Sequence, residues 1–262
     1  MARGLQFAYD ALGLAHQIGD RRREMEAWMA VADARVLVHD PGAREAAERA
    51  LDLSRELGDL RAEVALLLAI ANVYGLDELE RHEAFLHEAL AKSETLNDKA
   101  MEVALLGALG AQFERRGDYY RQFVEFELPR LRLCREIGNR VEEGKALMMC
   151  GQIQGLYLGD LEAAIALEEE AAQIWGELSN RLFPLLRIAQ IQTALGRFEA
   201  AEQALAEAWA LSERGTRDFG RAGYHLVAAI LDNARGGLER LESALEHCRQ
   251  VQRLVSDNLV AW

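Results

Sequence analysis

Residues that break or stiffen a chain are scarce here. Proline occurs three times in 262 residues and aromatic side chains make up 7%, while strong helix formers, chiefly Ala, Leu, Glu and Arg, dominate. That balance points to an all-α protein. No apolar run approaches the roughly 18 residues of a bilayer-spanning helix, and the N-terminus lacks the basic segment, apolar stretch and cleavage site of an export signal. The expectation is a soluble, cytoplasmic protein. Cysteine is sparse too. Cys134, Cys150 and Cys248 are odd in number and far apart, which speaks against a disulfide framework or a zinc knuckle and marks them as reduced core residues.

Positive charge is the other shortage. A net charge of −13 argues against a nucleic-acid surface, because phosphate contacts need clustered Lys and Arg. The local basic groups Arg21, Arg22 and Arg23, and Arg130, Arg132 and Arg135, read as solvated helix faces paired with nearby Glu.

What the chain does have is an internal period. The phrase LAHQIGD at Leu14–Asp20 returns as LSRELGD at Leu53–Asp59, SETLND at Ser93–Asp98, LCREIGN at Leu133–Asn139 and IWGELSN at Ile174–Asn180. The apolar residue before each turn is Ile18, Leu57, Leu96, Ile137 and Leu178, continued in degenerate form by Gly215 and Val255, with steps of 39, 39, 41, 41, 37 and 40. The chemistry of the phrase explains its return. An apolar residue closes a helix, Gly or Asn takes the left-handed position after it, and Asp or Asn caps the next helix. A weaker break lies inside each period, at Asp40-Pro41-Gly42, Gly75 to Asp77, Gly117-Asp118, Gly159-Asp160, Gly196 and Gly236-Gly237, so each period holds a helix A and a helix B.

Small and large residues alternate at fixed places in the A helices. Leu106, Leu109, Gly110 and Phe113 precede Gly117-Asp118-Tyr119, and Leu185, Ile188 and Ala189 precede Gly196-Arg197-Phe198, then Ala201, Leu205 and Ala208. Trp28, Val31 and Ala32 fit the same places, as do Leu67, Ile70, Ala71 and Tyr74, and Cys150 with Gly151. These residues resemble the tetratricopeptide repeat, and the roughly 40-residue period resembles the long-repeat sensor arms of bacterial signalling ATPases, transcriptional regulators and cyclases, and the kinesin-light-chain and peptide-receptor types. The resemblance implies a right-handed α-solenoid of antiparallel helix pairs over 1–262 and a non-catalytic protein-interaction or sensory scaffold. The frame is a helix B of an incomplete repeat at 1–19, six pairs at 20–58, 59–97, 98–138, 139–179, 180–215 and 216–256, and the start of a further helix at 257–262. Because neither end supplies a polar capping repeat, the expectation is a fragment of a larger bacterial regulatory or signal-transduction protein.

Catalytic patterns are not found. The histidines His16, His39, His82, His87, His225 and His247 form no zinc-hydrolase spacing, no phosphate-binding loop or nucleophile elbow occurs, and Glu168, Glu169 and Glu170 read as a solvated face. The reading is a non-enzyme without cofactor or metal. Pro184 suits a first helical turn, whereas Pro129 lies inside a helix B and should kink or break it.

A partner segment is expected along the A helices, in a concave groove, at Met29 and Asp33, Leu68 and Asn72, Met148 and Gln152, and Leu186 and Gln190, with Gly107, Ala111, Leu226 and Ile230 completing the rows. This line is apolar with acid or amide groups interleaved and lacks the Lys and Arg that clamp a carboxylate terminus in chaperone-binding relatives. It suits an apolar or amide-bonding segment, and it equally suits packing against the neighbouring repeat. The partner would be a protein, a peptide, or a neighbouring domain of the parent protein, with no nucleic acid and no membrane. The alternatives are a small-molecule receptor arm and self-association through the terminal helices, with Trp262 as an anchor.

Overall fold

The computed structural model describes residues 2–38, 40–74, 78–176, 181–213 and 218–259, without the side chains of 2, 72–74, 218–219 and 256–259. Every regular element among them is helical: α1 (Ala2–Ile18), α2 (Arg21–Val36), α3 (Ala43–Leu57), α4 (Leu60–Tyr74), α5 (Leu79–Leu96), α6 (Lys99–Arg116), α7 (Tyr119–Arg121), a π-helical stretch (Gln122–Glu127), α8 (Leu128–Ile137), α9 (Arg140–Leu156), α10 (Leu161–Trp175), α11 (Leu182–Ala194), α12 (Phe198–Glu213), α13 (Asp218–Arg235) and α14 (Leu238–Leu259). Turns expected at Gly75 to Asp77, the rulers Leu178 and Gly215, and Trp262 lie outside the described residues. Asp257–Leu259 continue α14 and do not open a new helix. No helix among the described residues is long and apolar enough to cross a membrane.

The recurring phrase does the work its chemistry suggests. Asp20, Asp59, Asp98 and Asn139 each accept a hydrogen bond from the backbone N–H three residues on, at 3.0–3.2 Å. The preceding Gly19, Gly58, Asn97 and Gly138 are all left-handed, and Asn97 does this with a side chain at φ 52°. Such a cap supplies about 1 kcal/mol at each helix start. A second device spans the same turns. The residue two before the ruler reaches eight residues ahead: His16 to Glu24 at 2.9 Å, Arg55 to Glu63 at 2.9 Å and Arg135 to Glu143 at 3.2 Å. Five of the six basic groups expected to be paired with acids are so, Arg23 meeting Asp20 at 3.3 Å, whereas Arg132 donates to the Leu128 carbonyl. Arg21 bonds Glu24 and Glu56, Arg22 bonds Asp59, Arg130 bonds Glu127, and Arg135 adds Glu170.

Consecutive helices pack on one another within two compact units, residues 1–133 and 134–262. The first unit buries Val31, Leu67, Ile70, Leu86, Leu105 and Leu109 in one core. The second buries Leu182, Ala189, Leu205, Ala208 and Leu231, with a smaller group of Ala164, Ile165 and Ile191. Small residues set the approach of helix B to helix A. A Cβ built on Gly144 of α9 would sit 2.6 Å from the Trp175 ring of α10, so that ring lies against bare backbone.

Two expectations need correction. Cys134 and Cys150 are buried, but Cys248 is exposed on α14. The irregularity at Pro129 is a π-helical stretch directly before it, in which the Leu128 N–H bonds back to the Phe123 carbonyl. Proline has no N–H to give and its ring crowds the carbonyl four residues back, so the wider turn relieves both problems.

Candidate functional site

The outward faces of the A helices differ between the units. In the first, α4 and α6 present Ala65, Ala69, Ala104, Ala108 and Ala111, a smooth surface with few hydrogen-bonding groups. Asp33 of α2 is exposed, whereas Met29 and Leu68 are half-buried and pack against the core. The Asn72 side chain lies outside the described residues.

In the second unit, Lys145, Met149, Gln152 and Leu156 of α9 follow one another at helical spacing, as do Phe183, Arg187, Gln190 and Ala194 of α11; all are exposed or half-exposed. Met148 is half-buried beside that row. Leu186, expected on the groove, is instead a core residue at 8% exposure. Leu186 borders the stripe of 183, 187, 190 and 194, about 70° round the helix from its centre, and α13 covers it there: a Cβ at Gly223 would lie 3.0 Å from Leu186 Cδ1.

The expected absence of a cation is also overturned. Arg187 lies on this face and its Nη2 donates to Gln152 Oε1 at 2.9 Å. Its Nε lies 3.8 Å from Glu168 Oε1. Glu168 is not a solvated acid: it is fully buried, and neither carboxylate oxygen has a hydrogen-bond partner. Burial pushes its carboxyl up to about 8, against the downward pull of Arg187, so it is mainly neutral at pH 7. Arg187 therefore brings an uncompensated positive charge to the row. The sequence signal was present in the pairing of this Glu with Gly151. A Cβ at Gly151 would lie 3.0 Å from Glu168 Oε1, so the glycine makes room for the acid.

The same arrangement recurs in the first unit. Glu127 is buried, a Cβ at Gly110 would lie 2.8 Å from its Oε1, and Arg130 Nη1 donates to its other oxygen at 3.2 Å. Burial raises this carboxyl to about 7, with Arg130 opposing.

The histidines divide. His87 is exposed, but His82 is buried, and its Nε2 lies 2.9 Å from the Gln112 amide nitrogen, so it accepts. Its pKa is lowered by burial and then by Arg115. His225 meets His247 Nδ1 to Nδ1 at 2.8 Å, among the rings of Tyr224 and Trp209. Burial, then His247, lowers the His225 pKa. Among the described residues no three His, Cys, Asp or Glu side chains gather into a metal site.

No family model matches the sequence, and no curated protein matches it. Solved structures do match in shape. The STAND signal transduction ATPase with a tetratricopeptide repeat sensor from Pyrococcus horikoshii superposes with a TM-score of 0.77 at 15% identity, covering 92% of this chain and 38% of that one. The Rap conjugation gene regulator of plasmid pLS20, in complex with the Phr* peptide, gives 0.59 at 11% identity over 90% of this chain and 66% of that one. The TPR-like repeats of a kinesin light chain from Podosopora anserina give 0.56 at 16% identity over 76% and 96%. The chain thus spans little more than a third of the ATPase and about two thirds of the Rap regulator. At these identities the likeness speaks to architecture: the chain has an all-α, tetratricopeptide-like helical repeat fold of the solenoid type.

Proposed function

We propose that this chain is a non-catalytic protein-interaction or sensory arm of a larger bacterial, cytoplasmic regulatory protein, built on the six helix-pair units at 20–58, 59–97, 98–138, 139–179, 180–215 and 216–256. The observation that carries the reading is the row on α9 and α11. Gln152 and Gln190 offer amides, Met148 and Met149 an adaptable apolar surface, and Arg187 a charge left free by a neutral neighbour. Such a row suits an extended segment whose backbone bonds to the amides and whose acidic or carbonyl group meets Arg187. For the first unit, taken by itself, Met29, Asp33, Leu68 and Asn72 are proposed as partner-binding residues. Support comes from the sensor arm of the ATPase and from the Rap regulator, which holds a peptide.

The test is selection of a random peptide library on the purified chain. Enriched sequences should carry an acidic residue and should bind at least tenfold more weakly to the Gln152→Ala and Arg187→Ala proteins. Enrichment that survives both changes, together with Gln190→Ala, would remove the row from the site.

A further inference from the structure

The helix pair α13–α14 exposes a face that the pair before it keeps covered. The two pairs lie 40 residues apart, so Leu186 matches Leu226, and Ala201, Leu205 and Ala208 match Leu241, Leu245 and Cys248. The first four are buried, at 8% exposure or less. The second four are exposed, Leu226 at 53% and Leu245 at 58%. Together with Ile230 they line an apolar groove of about 480 Å³ between α13 and α14. An apolar face that one repeat encloses by packing is thus left to water in the next.

Three features fix what fills it. Ala201 and Ala208 of α12, like Ala164 and Ala171 of α10, are small and enclosed, whereas α14 has the bulkier Leu241 and Cys248, which hold an added helix further out. The rulers Leu57, Leu96 and Ile137 close their helices, but α14 runs straight through Val255 to Leu259 and does not fold back there. In place of a turn, α14 carries a ladder. Leu238, Leu241, Leu245, Cys248, Gln252 and Val255 follow one another at alternating steps of three and four residues, and all are exposed. That rhythm is the seam of a two-stranded coiled coil. Arg240 and His247 reach Asp232 and His225, so α13 lies against one flank of the ladder. The other flank is open and bears Glu242 and Arg249, both exposed. Glu242 has no ion pair among the described residues, and Arg249 meets Glu246 at 3.3 Å.

We propose that the α13–α14 face binds a second copy of this chain, with the two α14 helices antiparallel in a two-fold dimer. Antiparallel pairing brings like flanks together, so the two α13 helices lie on one side and the two open flanks meet on the other. Leu245 then packs on Cys248 of the second copy, Leu241 on its Gln252 and Leu238 on its Val255. In that register Glu242 stands opposite Arg249 of the second copy, and symmetry repeats the ion pair. A parallel pair does not oppose these two charges. The face shares no residue with the row on α9 and α11, so the proposal goes beyond partner capture.

Sedimentation equilibrium of the full chain tests it. A reversible monomer–dimer equilibrium is expected with a Kd on the order of 10 μM, in keeping with a small interface. Leu245→Glu alters an exposed residue, so it should leave the unfolding midpoint of the dilute protein in place and weaken dimerisation at least tenfold. Glu242→Arg and Arg249→Glu each set like charges against one another twice and should each weaken the dimer at least tenfold at low salt. Mixed together, those two variants should form a heterodimer as tight as the wild-type dimer, because every facing pair is again of opposite sign. Should Leu245→Glu unfold the chain, the two charge variants decide the question. Gln152→Ala and Arg187→Ala should dimerise like the wild type, which separates a failure of this face from a failure of the peptide row. A chain that stays monomeric at about 200 μM, a dimer that survives Leu245→Glu, or charge variants whose mixture stays monomeric would each overturn the proposal. So would growth beyond the dimer that Leu14→Glu on α1 abolishes, the signature of head-to-tail stacking.

Discussion

Replacing Glu168 by Gln should make the protein less sensitive to alkali, and the size of the effect follows from where the side chain sits. Glu168 is fully buried with no hydrogen bond to either oxygen, and its carboxyl is pushed up to about 8 from an ordinary 4.5. Between those two values the native state keeps a proton that the unfolded chain has released. The raised native value therefore favours folding fully below about pH 4.5, and that advantage is lost as pH rises through about 8. The slope is about 1.4 kcal/mol per pH unit, with a ceiling of about 5 kcal/mol across the window. Relaxation around the ionised group reduces this, and about 2–4 kcal/mol is expected. Glutamine matches the shape of the neutral acid at every pH. The Glu168→Gln protein should accordingly match the wild type near pH 5 and exceed it near pH 8. Urea unfolding midpoints at pH 5, 6.5 and 8 measure the difference. Parallel pH profiles for the two proteins would refute the reasoning. So would a variant that loses more stability at pH 8 than at pH 5, since that would mean a charged Glu168 stabilised by Arg187.

Other consequences are simpler to read. Gly151→Ala gains helix propensity, yet its methyl would meet Glu168 at 3.0 Å, so a net loss of about 1–3 kcal/mol is expected in thermal or urea unfolding; a more stable protein would show that the two helices can part at no cost. Phe113→Ala removes a fully packed ring from its stack on Phe126 and should cost about 3–5 kcal/mol, checked by the same measurement. Asn97→Gly relieves a side chain held at φ 52° and should stabilise by up to about 1 kcal/mol; no change or a loss would show that the asparagine side chain is itself needed there. His82 and His225 are held neutral below the usual imidazole range, so their contribution to stability is present above about pH 6.5 and is lost as pH falls through their depressed values. Their ring resonances followed by NMR should titrate below the ordinary imidazole value of about 6.5, and titration at or above it would refute the assignment.

The helical class, the roughly 40-residue period and the capping turns at Asp20, Asp59, Asp98 and Asn139 are written locally. Asp20, Asp59, Asp98 and Asn139 need only the next three residues to make their bonds, and an apolar stripe at helical spacing declares its own buried side. Gln152 and Gln190 were legible in the same way, since their exposure follows from registering each A helix on its small residue. What the sequence left undecided involves groups brought together from different helices. Leu186 and Arg187 are neighbours in the chain, and only the packing of α11 into its core turns the first inward and the second out to Gln152, 35 residues away. Three consecutive glutamates look alike as text, but Gly151 leaves bare backbone opposite Glu168, which encloses that acid and shifts its proton affinity. Burial, electrostatic environment and the groove between α13 and α14 depend on distances between elements, and those distances are set by tertiary packing, whereas hydrogen bonds within a turn are set by the residues that form it.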